Sequence, residues 1–286
     1  MARGRFRPTI QNWMDLDADG FPTFPDQQFL AEGDSWFTVS GFPAYNLLFE
    51  LRFRKHTRIV NCGMPGDTIK HMTEISRNRN LREALSSGSF RWDAILLSGG
   101  GNDLIDEADD ILLSKAERDP ANVQGPADYC RAERLQALVA DVQDGFRKIA
   151  ELRDAPRASA KGTPILTHTY DYATPRNAPA RFLFASLGPW LYTALVAREV
   201  PGEHWVAVTD YLIDTLAEGI VALQHGPRPI PNFHVVDTRG TLKRAELGHR
   251  GDSNDWQNEI HPNGWGYEKL AKRLEPVLEG LIAGSQ

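Results

Sequence analysis

The sequence predicts an α/β fold in which an open, mainly parallel sheet carries helices on both faces. Five short runs hold few charges, as strands buried on both sides do: Gln28–Gly33, Thr57–Cys62, Trp92–Ser98, Pro164–Thr169 and Asn232–Asp237. Longer segments whose apolar residues recur at helical spacing separate them, and that alternation implies βαβ units with right-handed crossovers. The polar residues best suited to chemistry also fall directly after these runs. Open sheets of this class gather their reacting groups there, outside the carboxyl ends of the strands.

Taken in order, residues 1–27 read as an N-terminal extension, with Arg3, Arg5 and Arg7 as a solvated tail. The stretch from Pro8 to Asp17 has no apolar core of the kind a secretory leader requires. The first strand leads to a helical pattern over Ala44–Lys55, with Leu47, Leu48 and Leu51 on one face. The second leads to Thr68–Leu85. After the third come an acidic insertion at 104–126 and a long helix over Ala127–Leu152, whose face carries Leu135, Leu138, Val139, Val142, Phe146 and Ile149. The fourth is followed by an aromatic, proline-containing insertion at 170–201 and a helix over Glu203–Gln224. The fifth precedes a terminal helix over Asn263–Ile282. Residues 28–286 thus form one domain, large enough for a well-buried core, with no linker to divide it.

Within the second insertion, the uncharged stretch Phe182–Ala197 reads as a buried helix interrupted at Gly188-Pro189, with the lining of an acyl pocket as the alternative. It falls short of the ~20 residues that cross a bilayer. A net charge of −6 argues against a nucleic-acid partner, since such proteins concentrate Lys and Arg on one face. Two cysteines, Cys62 and Cys130, suggest buried free thiols and a reducing compartment. With no leader evident, a cytoplasmic location is expected. His168, Asp171, His249 and Asp252 lack the helical spacing of His-Glu-x-x-His, and no cysteine cluster exists, so no metal is expected.

Four short motifs carry the chemistry. Ser35 lies in Gly33-Asp34-Ser35-Trp36 after the first strand. Gly66 lies in Asn61-Cys-Gly-Met-Pro-Gly66-Asp67-Thr68 after the second, where a glycine presents its backbone N–H ahead of a helix cap. Asn102 follows three glycines in Leu97-Ser-Gly-Gly-Gly-Asn102-Asp103, and its amide offers two N–H donors. His261 lies in Asn258-Glu-Ile-His261-Pro262 just before the terminal helix. Each motif alone is weak; a strand turn or helix cap explains it as well. Four in one order, each at the end of a successive sheet element, are strong jointly. A serine hydroxyl becomes a nucleophile when an imidazole takes its proton, and the resulting oxyanion needs aimed donors. Such chemistry needs no cofactor. The Gly-x-Ser-x-Gly elbow of α/β-hydrolases is absent.

From about Phe29 to Leu281 these blocks resemble the SGNH hydrolases, also called the GDSL esterase/lipase family. The resemblance implies a flavodoxin-like three-layer α/β/α sandwich, here with a mainly parallel five-stranded sheet. It implies Ser35 as nucleophile, His261 as base, and the Ser35 and Gly66 N–H groups with the Asn102 side chain as oxyanion hole. Gly63 is a second candidate for the glycine. One position departs from the family pattern: Asn258 stands where the family has Asp, three residues before the histidine. Asn258 and Asp255 rank equally as the partner that orients His261, with Glu259, Asp237 or a backbone carbonyl as further options. The implied reaction is hydrolysis of a carboxylic ester through an acyl-serine. The alternatives are acyl transfer to an alcohol or sugar, deacetylation of a carbohydrate, and a non-catalytic binding module. The substrate is a small-molecule, lipid or carbohydrate ester; Trp190, Tyr192, Tyr170 and Tyr172 are candidates for a sugar-stacking wall. Activity is expected to fall below the ordinary histidine pKa, ~6.5.

Overall fold

Six parallel strands build the central sheet of the computed structural model, one more than the five apolar runs predict. Residues 5–15, 25–38, 41–74, 78–86, 88, 90–119, 121–182 and 184–283 are described. In chain order the elements are β1 (Thr9–Asn12), β2 (Gln27–Gly33), α1 (Leu47–Glu50), β3 (Thr57–Asn61), α2 (Ile69–Thr73), α3 (Arg79–Ser86), β4 (Ala94–Ser98) and α4 (Gly101–Ile111). There follow α5 (Ala132–Arg153), β5 (Ile165–His168), β6 (Ala180–Arg181), β7 (Ser186–Leu187), α6 (Leu191–Ala197), α7 (Trp205–His225), β8 (Phe233–Val236) and α8 (Gly264–Ala283). The sheet order is β1-β3-β2-β4-β5-β8, and β6 with β7 makes a separate antiparallel hairpin. Helix α1 packs on α8, while α2, α3, α4 and α7 contact α5, so helices flank the sheet on both sides.

Burial explains which strands the sequence reveals. Every residue of β3, β4 and β5 is buried, and all but one of β2, which is why their sequences read as apolar runs. Strand β1 reads differently because it is a half-exposed edge whose only aliphatic residue is Ile10. It pairs with β3 in register from Thr9↔Arg58 to Asn12↔Asn61, so part of the expected extension belongs to the sheet. The chain start is tied down as well. Phe6 and Phe53 exchange backbone hydrogen bonds of 2.7 and 2.9 Å. Arg5 reaches Glu275 at 3.0 Å and Glu279 at 2.7 Å on α8, so this start is tethered, although Arg5 and Arg7 are exposed as expected; Arg3 lies outside the described residues.

The helices follow their apolar faces, with four departures. The pattern over Ala44–Lys55 yields only α1, and that over Thr68–Leu85 yields α2 and α3, with Thr68 capping α2 by accepting from His71 N–H at 3.3 Å. The insertion at 104–126 is helical in its first third, because α4 continues straight out of the Asn102 motif. The stretch Phe182–Ala197 is not a buried helix. It forms part of the β6–β7 hairpin and then α6, leaving Phe184 99 % exposed. Among the described residues, no helix is long and apolar enough to cross a membrane.

From β2 the chain crosses to β3 on one side and then returns to β4 on the other, so the ends of β2 and β4 border a topological switch point. Gly33 is paired with Ser98 across it, and Asp34 N–H donates to Ser98 O at 3.2 Å. The turn after β3 presses on the same spot. A Cβ on Gly63 would lie 2.5 Å from Gly33 O, so only glycine lets the two backbones meet.

Candidate active site

Three strand ends and the loop before α8 converge on Ser35. Its turn is held by Asp34, whose Oδ1 accepts from Trp36 N–H and Ser98 Oγ, both at 2.9 Å, while Oδ2 accepts from the Tyr170 hydroxyl. Burial raises the Asp34 pKa to about 6 against the lowering effect of these donors. Asp34 thus braces the turn through Trp36, Ser98 and Tyr170, and Ser35 stands free of it to meet another partner.

That partner is His261. Ser35 Oγ lies 2.7 Å from His261 Nε2, and both residues are buried. On the other side of the ring, Nδ1 lies 2.9 Å from Asn258 Oδ1. The same oxygen accepts from the backbone N–H groups of Ile260 at 3.2 Å and His261 at 3.0 Å. Backbone amides only donate, so they fix the Asn258 side chain with its oxygen, not its NH₂, toward the ring. Nδ1 therefore carries the proton and Nε2 presents its lone pair to Ser35. Burial lowers the His261 pKa to about 3, since taking the ring out of water disfavours its charged form. With the pKa lowered in this way, the expected acid limb lies below the ordinary histidine value.

The other sequence candidates for the orienting partner point elsewhere. Asp255 Oδ2 accepts from Lys243 N–H at 2.6 Å and Lys269 Nζ at 2.5 Å, so it does not hold the ring. Asp237 pairs with Arg239 at 2.7 Å. Glu259 turns away from its neighbour in sequence and accepts from the backbone N–H groups of Trp190 and Tyr192, fastening the start of α6. Burial lifts its pKa to about 7.

The expected oxyanion donors come from the two remaining strand ends. Gly66 sits in a left-handed turn at φ +83°, a conformation that glycine adopts without strain, and the space beside its Cα is open. Asn102, in the first turn of α4, donates one Nδ2 hydrogen to Asp67 O at 2.9 Å. Asp103 accepts from Ile69 N–H at 2.9 Å, so both residues of the Asn-Asp pair clamp the Gly66 loop. Gly63 is engaged otherwise: its N–H donates to Asn61 Oδ1 at 3.0 Å and its backbone packs on Gly33.

No protein-family model matches the sequence, and no curated protein does. Solved structures do resemble the fold. The extracellular lipase from Streptomyces rimosus is 18 % identical, with 90 % of this chain and 100 % of that chain covered at a TM-score of 0.50. The chain has the SGNH hydrolase fold. Phospholipase A1 from Streptomyces albidoflavus NA297 is 14 % identical over 89 % of this chain and 98 % of that one, at a TM-score of 0.47. A Bacteroides ovatus protein described as a GDSL-like lipase is 12 % identical over 90 % of this chain and 54 % of that one, at 0.45.

Within this SGNH scaffold three supporting residues escape sequence reasoning. Ser98 and Tyr170 brace Asp34 from β4 and from the segment after β5. Arg176, only 1 % exposed, donates to Asn258 O at 2.6 Å and His249 O at 3.0 Å, and also to Gly251 O, so it braces the loop carrying Asn258 and His261. A lone arginine between two prolines in the otherwise uncharged run Ala173–Ala180 is the one cue the sequence offers. The four aromatics proposed as a sugar-stacking wall are dispersed. Tyr170 serves Asp34, Tyr172 donates to Asp214 at 2.8 Å, Tyr192 stacks edgewise on Trp205, and only Trp190 lies against His261, with ring centroids 5.7 Å apart. His168 is buried, its ring stacks on Trp36, and burial lowers its pKa to about 4. Cys62 and Cys130 are buried free thiols, and burial raises the pKa of both.

Proposed function

We propose that this chain is a serine esterase, hydrolysing a carboxylic ester through an acyl-Ser35 intermediate. The observation that carries the reading is the continuous relay from Ser35 Oγ through the His261 ring to Asn258 Oδ1, at 2.7 and 2.9 Å. Ser35 Oγ attacks the ester carbonyl while its proton passes to His261 Nε2. The tetrahedral oxyanion is met by the N–H groups of Ser35 and Gly66 and by Asn102 Nδ2. The C–O bond to the alcohol then breaks, and the leaving oxygen takes the proton from Nε2. Water, giving a proton to the same nitrogen, attacks the acyl-enzyme; the bond to Ser35 Oγ then breaks, Nε2 returns its proton to that oxygen, and the acid is released.

Asn258 does not reduce the site to a binding module on this reading, because the geometry it holds is the one a general base needs. A fluorophosphonate tests it directly. The reagent is expected to label wild-type protein at Ser35, mapped by peptide mass spectrometry, and to leave Ser35→Ala unlabelled. A folded wild-type protein that stays unlabelled overturns the esterase reading in favour of a binding module.

Asn102→Ala removes one side-chain donor from the oxyanion. Its kcat on p-nitrophenyl acetate is expected to fall by ~10²–10³. A loss smaller than about tenfold would take Asn102 out of the oxyanion hole.

A further inference from the structure

A cavity of about 50 Å³ opens beside Ser35 and Asn102. Its walls are mostly apolar, with Trp36 and Tyr170 beside Leu104 and Ile105 from α4, Leu191 from α6, Ile213 and Leu216 from α7, and Ile260 next to His261. Two carboxylates, Asp34 and Asp171, also border it, and both are engaged by the protein. Asp34 is held by Trp36, Ser98 and Tyr170, and Asp171 accepts from the N–H groups of Tyr172, Gly240 and Leu242 at 2.6–2.7 Å. A charged or hydroxylated acyl chain would therefore leave water for a mostly apolar wall whose carboxylates are already taken.

Resting on the acyl-Ser35 reading, we propose that this cavity is the acyl pocket and that the substrate's acyl group is a short, uncharged aliphatic chain, acetyl to butyryl. Its volume matches only a few water molecules, at ~10–30 Å³ each depending on the measure, so a chain of about two to four carbons fills it. A fatty-acyl tail exceeds it. Leu216 is 2 % exposed and Ile213 5 %, so α7 supplies walls backed by core. The depth of the pocket, and with it chain-length preference, is set by Ile213 and Leu216 together with Ile105.

The test compares kcat/KM on p-nitrophenyl acetate, butyrate and octanoate for wild type, Leu216→Ala and Ile105→Ala, with fluorophosphonate labelling run on the same folded samples. Ile105 is only partly buried, so its truncation disturbs the fold least. Wild type is expected to be best on acetate or butyrate. Each variant is expected to raise the octanoate-to-acetate ratio by about tenfold, the low end of what a methylene contributes to discrimination in an apolar pocket. A wild-type maximum at octanoate, or ratios unchanged in both variants while Ser35 labels fully, overturns the pocket assignment and leaves the esterase reading standing. Absent labelling and absent hydrolysis in folded wild type overturn both.

Discussion

Ser35→Ala and His261→Ala are each expected to lower kcat for p-nitrophenyl ester hydrolysis by ~10⁴-fold or more, since the two groups work as a unit and either deletion disables it. The expectation follows from the 2.7 Å contact between Ser35 Oγ and His261 Nε2, through which the hydroxyl proton would leave during attack. The losses should be non-additive, so that the double variant is no slower than either single one. Their effects on folding should differ. His261 is pushed to a pKa of about 3 by burial, whereas an unfolded chain holds it near ~6.5. Below that value the unfolded state binds a proton the folded state refuses, so this residue's contribution to stability is constant above pH ~6.5 and declines as pH falls toward 3. His261→Ala removes that acid sensitivity and Ser35→Ala keeps it. Thermal unfolding from pH 4 to 8 checks this. Equal acid sensitivity in both variants would mean that His261 is not held neutral by its surroundings.

Much of this arrangement is legible in the sequence because buried parallel strands advertise themselves. The five runs read as strands match β2, β3, β4, β5 and β8 within two residues; burial forces apolar side chains at successive positions in the first four, while β8, at the far edge, is buried only at Phe233 and Val236. Strand β1 escapes because an exposed edge imposes no such demand on Thr9-Ile-Gln-Asn12. The site was legible to the extent that its residues lie directly after strands, as Ser35, Gly66 and Asn102 do. The orienting partner was not, for a physical reason. Asn258 and Asp255 lie three residues apart in one irregular loop, and only its path decides which side chain faces the ring. Hydrogen bonds from Arg176 to Asn258 O, His249 O and Gly251 O set that path, and they involve carbonyls that carry no side-chain signal.

Asn258→Asp is expected to move the acid limb of kcat/KM upward by more than one pH unit and to raise kcat near pH 7. Asparagine in this position ordinarily damages a serine enzyme, by ~10⁴ in the serine-protease case, because its amide settles the histidine into the wrong tautomer. Here that route is closed. Ile260 N–H and His261 N–H, at 3.2 and 3.0 Å, hold Asn258 Oδ1 in the acceptor position, so Nδ1 keeps its hydrogen and Nε2 stays the base. What the asparagine lacks is charge, so it brings nothing to offset the burial that lowers the His261 pKa to about 3. A carboxylate on the same atoms would keep all three hydrogen bonds and add an attraction for the imidazolium, raising the folded pKa toward and past ~6.5. A base with a pKa nearer the working pH takes the serine proton more readily, and each unit of pKa is 1.36 kcal/mol of differential stabilisation. The sign is therefore opposite for the two ends of the profile: Asn258→Asp gains rate at neutral pH and loses it earlier on acidification, while wild type, slower at pH 7, stays active further into acid. Asn258→Leu, which removes the acceptor altogether, is expected to lose rate at every pH. An acid limb that does not move in Asn258→Asp would show that the charge next to Nδ1 does not govern this histidine, and the relay through Asn258 would have to be abandoned.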